Sequence, residues 1–226
     1  MSRNLPVMLL ALLFSVVLHE CAHGWVAERR GDPTARLLGR LTLNPLKHID
    51  PVGTILVPLV LALLPGGLMF GWAKPVPVDP TRLRDPLRDQ AWVAAAGPAS
   101  NLLLAAACAI LRGVLAALAG PAAHGGGGVG TDLVLFLAQL LEWGMFLNVL
   151  LALFNLIPIP PLDGSWILYR WLRGRAALFF DRLRPAGFFL VILLLYSGLG
   201  GWLNRAVMQV VGLYYDLANL VLHALR

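Results

Sequence analysis

The feature that most constrains this chain is a series of long apolar stretches separated by short basic loops. Six such stretches lie at about 5–28, 53–70, 91–119, 132–157, 186–203 and 206–225. A helix needs about 20 apolar residues to cross a bilayer, and the first five stretches approach or exceed that length. Hydrophobic residues make up 58% of the chain, which is typical of integral membrane proteins. We expect an all-α polytopic bundle of about five to six transmembrane segments, forming a single domain over residues 1–226.

The basic residues are concentrated in three loops, at 29–50, 71–90 and 170–184. Loops rich in Lys and Arg stay on the cytoplasmic side of a membrane, so we place all three loops there. This arrangement accounts for the net charge of +6, and we expect no nucleic-acid partner. Cys21 and Cys108 each lie in an apolar stretch without the spacing of a metal site, so we assign them neither to a disulfide nor to a metal.

The stretch 53–70 lies between two cytoplasmic loops and must return to the side from which it starts. It is too short to cross twice, and Pro58 and the Pro-Gly-Gly sequence at 65–67 interrupt it. Broken backbone at membrane depth is tolerated where other helices cover it. We predict a re-entrant hairpin, with an ordinary span as the alternative. The following sequence at 74–78, Lys-Pro-Val-Pro-Val, predicts a short extended segment, either an edge for an unwound substrate strand or a rigid connection.

The first apolar stretch ends in a His-Glu-Cys-Ala-His sequence at residues 19–23. Residues four apart share a helix face, so His19 and His23 can offer imidazole nitrogens to one metal ion while Glu20 lies beside it. Zinc lowers the pKa of a bound water towards neutrality, and an adjacent carboxylate can take the proton. The alternative is that these polar residues only cap the cytoplasmic end of a membrane helix. Three ionisable side chains this close together in an apolar helix are costly without a function, which disfavours that alternative. The motif therefore predicts metal-assisted hydrolysis.

Two histidines leave a zinc site short of a protein ligand, which is usually His, Asp or Glu. Glu142, Asp163 and Asp216 are the candidates in or near the apolar stretches. The fourth stretch runs inward, so Asp163, which follows it, lies on the cytoplasmic side. His19 and His23 lie on the same side, whereas Glu142 lies in the outer half of the fourth stretch. A proline-broken sequence precedes Asp163, and such backbone is tolerated where it lines a cavity. We favour Asp163 as the third ligand; its alternative role is the N-cap of a short helix from Ser165.

Other polar residues in the apolar stretches are assigned structural roles. Gly97 and Asn101, four apart, allow close helix packing and a hydrogen bond between helices. In the last stretch a narrow polar stripe either packs inward or lies along the membrane interface; it consists of Gln209, Gly212, Asp216, Asn219 and His223. The histidines at positions 48, 124 and 223 show no ligand spacing and are not assigned to the metal.

At these motifs the chain resembles the site-2 protease family, the intramembrane zinc metalloproteases of peptidase family M50. The resemblance is carried by residues 19–23, 71–78, 97–101 and 155–164, in the order of the family. It implies one Zn²⁺ per chain bound by His19, His23 and Asp163, with Glu20 as the general base and Asn155 lining the site, where it could polarise the scissile carbonyl. No stretch corresponds to the PDZ or CBS domain of some members, as in a minimal prokaryotic member.

The resemblance also implies what the protein acts on. Its substrates would be transmembrane proteins such as membrane-anchored regulators, cleaved within the lipid bilayer of the cell membrane near the cytoplasmic face. A membrane metal-ion transporter is the competing function, because ionisable residues in membrane segments also form transit sites. A transporter would not need Glu20 as a base and would have ligands spaced along a path. A non-catalytic membrane binding protein is the third alternative, disfavoured because all the chemically required residues are present.

Overall fold

The structure is a computed structural model that describes residues 5–56, 73–119, 129–197 and 199–226. Within these ranges the regular elements are all helical, which confirms the all-α class. The principal helices are α1 (Leu5–Arg29), α2 (Thr34–Leu37), α3 (Pro86–Ala119), α4 (Val129–Asn155), α5 (Asp163–Tyr169), α6 (Arg175–Leu183), α7 (Gly187–Tyr196) and α8 (Leu199–Ala224). Short 3₁₀ turns lie at Pro45–His48, Pro80–Arg82 and Arg184–Ala186, and a π-helical turn lies at Pro51–Leu56.

Three of these helices, α1, α3 and α4, are long and apolar enough to cross a membrane. Their most apolar windows have mean hydropathies of 2.1, 2.3 and 1.8. At 1.5 Å per residue, even the shortest of them extends for about 37 Å, which exceeds the roughly 30 Å hydrocarbon core of a bilayer. The chain is therefore a membrane protein. The predicted count of five to six spans is not confirmed in the described part of the chain.

The predicted helix boundaries hold best where a strong local signal ends the helix. The metal helix predicted at 5–28 is α1, one residue longer. The helix predicted at 91–119 begins at Pro86, because proline is favoured in a first turn, where its missing N–H would have no helical partner. The helix predicted at 132–157 is α4 and ends at Asn155, shortly before the first of the prolines that break the backbone.

The predicted division of the C-terminal region into helices at 186–203 and 206–225 is wrong. Instead α7 ends at Tyr196 and α8 begins at Leu199, so the break falls several residues earlier. The sequence Ser-Gly-Leu-Gly-Gly lies at this boundary, and glycine has low helix propensity, although Gly200 and Gly201 belong to the first turn of α8. Of the re-entrant stretch predicted at 53–70, only 53–56 is described, as the end of the π-helical turn; the remainder lies outside the described residues.

The main apolar core lies between α3, α4 and α8. Its buried members are Ala105 and Ala109 of α3, Met145 and Val149 of α4, and Leu203, Val207, Val211 and Ala218 of α8. Small side chains let α3 and α8 approach closely: a Cβ on Gly113 would lie 2.4 Å from the Ala218 carbonyl oxygen. The polar stripe of α8 does not pack inward, because Gln209, Asp216, Asn219 and His223 are all exposed.

The loop after α1 is tied to the residues that follow the extended segment at 74–78. Asp32 is fully buried, and its carboxylate accepts hydrogen bonds from the backbone N–H groups of Thr34, at 3.0 Å, and Asp79, at 2.7 Å. Further along, the N–H of Arg84 donates to the carbonyl of Arg30 at 3.1 Å. A buried carboxylate needs such donors, and these bonds hold the chain after the extended segment beside the end of α1.

Candidate metal centre

His19 and His23 lie on one face of α1, one helical turn apart, as their spacing predicts. Their rings meet edge to face, with centroids 4.6 Å apart, and the two Nε2 atoms are 3.0 Å apart. Both residues are buried, with exposed fractions of 8% and 9%. Helix α1 packs against α3 and α4, so these helices shield the imidazoles.

Asp163 is brought to the same point by the loop that follows α4. Its two carboxylate oxygens lie 3.2 Å from Nε2 of His19 and 3.4 Å from Nε2 of His23. The loop must fold tightly to reach this position: a Cβ on Gly164 would lie 2.2 Å from the Leu156 carbonyl oxygen. Glycine at 164 is therefore required for the close approach that delivers the carboxylate.

The spacing of these three side chains fits a zinc ion. Zinc ligands at about 2.0–2.1 Å in a tetrahedron are separated from one another by roughly 3.3 Å, and the observed separations are 3.0, 3.2 and 3.4 Å. Oδ2 of Asp163 is buried and has no hydrogen-bond partner within the described residues. A buried carboxylate oxygen without a donor is costly, and a cation between the three ligands would satisfy it. His19, His23 and Asp163 could therefore hold a metal ion.

The other ring nitrogen of each histidine is engaged by α3. Nδ1 of His23 lies 2.7 Å from the carbonyl oxygen of Val93, which can only accept, so this nitrogen carries a proton. Nδ1 of His19 lies 2.5 Å from Oδ1 of Asn101. Protonation at Nδ1 leaves the lone pair on Nε2, and hydrogen bonds of this kind are the usual way in which proteins orient histidine ligands.

Gly97 of α3 forms the wall beside the two imidazoles. A Cβ at this position would lie 2.5 Å from Nε2 of His23 and 2.6 Å from Nε2 of His19. No side chain larger than hydrogen fits without displacing both rings. The sequence predicted close helix packing and a hydrogen bond between helices for Gly97 and Asn101; the structure places both against His19 and His23, the proposed metal ligands. Their signal was the four-residue spacing of a glycine and an amide in an apolar helix.

Glu20 is held by the extended segment at 74–78. Its Oε2 accepts a hydrogen bond from the backbone N–H of Val76 at 2.7 Å. Pro75 and Pro77 have no N–H, so Val76 is the only possible donor among these three residues. The side chain of Val76 is buried close to Gly24 of α1, where an added Cβ would lie 3.0 Å from it.

Both backbone donors between 74 and 77 are used within the chain. The N–H of Lys74 donates to the carbonyl of His48 at 2.9 Å, and that of Val76 donates to Glu20. Nη2 of Arg40 donates to the carbonyls of Lys74 and Pro75, at 2.9 and 3.2 Å. These bonds anchor the segment at Lys74, Pro75 and Val76, as a rigid connection requires.

The remaining candidates lie away from the three ligands or have other partners. Glu142 accepts from Nε and Nη2 of Arg112, at 3.1 and 2.9 Å, and so pairs α4 with α3. Asp216 is exposed on α8. Asn155 donates from its side-chain amide to the carbonyl of Leu151 at 2.9 Å. Cys21 donates to the Thr42 carbonyl at 3.1 Å, on the side of α1 away from the histidines.

Comparison with known proteins identifies close relatives over most of the chain. The model of peptidase family M50 matches residues 7–195. A zinc metalloprotease by name, YwhC of Bacillus subtilis, is 37% identical over 198 residues, which cover 88% of this chain and 84% of the relative. Rip2 of Mycolicibacterium smegmatis, also named as a zinc metalloprotease, is 31% identical over 216 residues, covering 92% and 72%. No solved structure matches.

Proposed function

Because the chain belongs to peptidase family M50 and is a zinc metalloprotease, we propose that it cleaves transmembrane segments of other membrane proteins inside the bilayer. The observation that carries this proposal is the position of the metal ligands. His19 and His23 lie on α1, and Asp163 follows α4, both helices that are long enough to span a membrane. The proposed substrates include membrane-anchored regulators, and the proposed location is the cell membrane, with cleavage near its cytoplasmic face.

The proposed chemistry assigns a role to each polar residue of the site. His19, His23 and Asp163 would hold the zinc ion, which when bound supplies Lewis-acid activation of water and of the peptide carbonyl. Glu20 takes the proton of the attacking water and later passes it to the leaving amine. The Val76 N–H holds Oε2 of Glu20, so the other carboxylate oxygen is available for this proton. Asn155 remains a proposed contact for the scissile carbonyl.

A substrate helix must unwind locally before this chemistry can occur. A helical peptide bond is shielded by side chains, and its carbonyl is already hydrogen-bonded within the helix. Residues that weaken a helix, such as glycine and proline, should therefore favour cleavage when they lie near the scissile bond. This requirement would explain how a buried site distinguishes a substrate from an ordinary membrane helix.

The test is the Glu20→Gln variant, assayed on a single-pass membrane protein in detergent. The substitution keeps the size of the side chain and can still accept from Val76, but the amide cannot take a proton from water. We expect cleavage to fall by at least a hundredfold, within the range that general-base catalysis contributes, with zinc content unchanged. Cleavage that survives the substitution would refute the proposed role.

Glu28→Gln is the matched control. Glu28 lies on the same helix and pairs with Arg36 at the surface, where its side chain is 30% exposed. Because Glu28 lies more than one helical turn beyond His23 and its ion-pair partner is Arg36, the control should retain both zinc and activity. Protein-dependent zinc uptake into vesicles without any cleavage would instead support the transporter alternative.

A further inference from the structure

A hydrogen-bonded network of buried polar side chains extends from His19 through three helices. It comprises Asn101 of α3, Asn148 of α4 and Ser15 of α1, with exposed fractions of 1%, 0% and 1%. Buried polar groups in membrane helices are costly unless they are hydrogen-bonded, and here each one is bonded to the next. The network begins at His19, a proposed metal ligand, which suggests that it does more than hold the helices together.

The hydrogen bonds connect these residues without a gap. Nδ2 of Asn101 donates to Oδ1 of Asn148 at 2.6 Å. Nδ2 of Asn148 donates to the hydroxyl of Ser15 at 2.8 Å and to the carbonyl of Gly144 at 2.7 Å. The Ser15 hydroxyl donates in turn to the carbonyl of Ala11 at 2.7 Å.

The direction of every bond in this network is set by the two backbone carbonyls at which it ends, those of Gly144 and Ala11. The carbonyls of Gly144 and Ala11 can only accept, so the NH₂ group of Asn148 must face Gly144 and its oxygen must face Asn101. Asn101 must then turn its own NH₂ group towards Asn148 and its oxygen towards His19. That oxygen requires a proton on Nδ1 of His19, and the lone pair is left on Nε2.

The opposite orientation of Asn101 would disable the ligand. If its NH₂ group faced His19, Nδ1 would have to accept, and the proton of the neutral imidazole would move to Nε2. A protonated Nε2 cannot bind a metal ion. Asn101 alone does not settle this choice, because an amide presents a donor on one side and an acceptor on the other.

We propose that Asn148 and Ser15 are positioning residues, which select the metal-binding tautomer of His19 through Asn101. The proposal rests on the metal site of the proposed function but not on the identity of the substrate. His23 needs no such network, because its Nδ1 faces a backbone carbonyl that can only accept. The two histidines are therefore fixed in different ways, and His19 depends on side chains that a substitution can remove.

The test compares Asn148→Leu, Asn148→Asp and Ser15→Ala with the wild type. Asn148→Leu removes the acceptor that orients Asn101. Asn148→Asp keeps an oxygen facing Asn101 and, when protonated, a donor for Gly144. Zinc affinity is measured by competition with a chelator, and the visible spectrum of the cobalt-substituted protein reports the geometry of the ligands. Val149→Ala is the control, since Val149 follows Asn148 in the sequence, is fully buried and takes no part in the hydrogen-bonded network.

We expect Asn148→Leu to weaken zinc binding about tenfold, at the lower end of the effects measured for partners that orient ligands, and to alter the cobalt spectrum. Asn148→Asp should restore both towards the wild type. Ser15→Ala, a small change that should fold, is expected to weaken binding by a lesser factor. Val149→Ala should lower the unfolding temperature while leaving zinc affinity and the spectrum unchanged.

Two results would overturn the proposal. One is an Asn148→Leu variant with wild-type zinc affinity and spectrum. The other is an equal loss of zinc affinity in Val149→Ala and Asn148→Leu when the two variants are equally destabilised, since that would reflect packing alone. A wild-type protein that binds zinc but cleaves nothing would refute the proposed proteolysis and leave this test intact, because its readouts do not involve activity.

Discussion

At Gly97, the absence of a Cβ makes room for the two imidazoles of the proposed metal site. A Cβ at this position would lie 2.5 Å from His23 Nε2, well inside van der Waals contact. We expect Gly97→Ala to displace the imidazoles and lower zinc content to less than half, measured by metal analysis of the purified protein. Gly212→Ala is the matched control, because nothing lies within 4 Å of the added Cβ and the change is also helical. Equal zinc content in the two variants would contradict this account.

The residues of the site differ in how far the sequence predicts them. His19, Glu20 and His23 follow from spacing within one helix, which is a local property. Predicting Asp163 as their neighbour required the orientation of whole segments, and the structure places it within 3.4 Å of both histidines. Asn101 was not assigned to the site because its contact depends on the rotation of α3 against α1, which hydrophobic periodicity does not specify.

At the scale of helices, the pair of Arg112 and Glu142 joins α3 to α4 away from the ligands. Arg112 also lies over the ring of Tyr215 on α8, 5.0 Å from its centroid, so three helices meet there. An unpaired charge in an apolar segment is costly. We therefore expect Glu142→Gln to lower the unfolding temperature by several degrees without changing zinc content. Loss of zinc in this variant would show that Glu142 serves the metal site, against its geometry in the structure.

Among the helices, the sequence predicted the long apolar ones well and misplaced the boundary between the two C-terminal ones. Long apolar runs predicted α1, α3 and α4, because length and hydropathy are enough to recognise a span. The break between α7 and α8 was placed too late, because one apolar run continues past Ser197 and hides the glycine-rich boundary. Neither periodicity nor charge specified that α8 would turn its polar stripe outward.

In the whole molecule, the proposed hydrolytic site lies among helices that are long and apolar enough to span a membrane. The family and zinc as the metal follow from the relatives, and the three residues that could hold the ion lie among helices that can span a bilayer. The proposed intramembrane cleavage requires a peptide bond to reach the buried His19 and His23. Where the substrate is cut is therefore the property that distinguishes this account from ordinary proteolysis at a membrane surface.

The most direct measurement is the position of the cleaved bond in a membrane-embedded substrate. Purified protein and single-pass proteins with glycine or proline near the cytoplasmic end of their helix are reconstituted together in vesicles, and the products are identified by mass spectrometry. The account predicts a cut inside the apolar segment, in its cytoplasmic half, that is absent with Asp163→Asn. A cut confined to the soluble regions, or one that persists in Asp163→Asn, would contradict it.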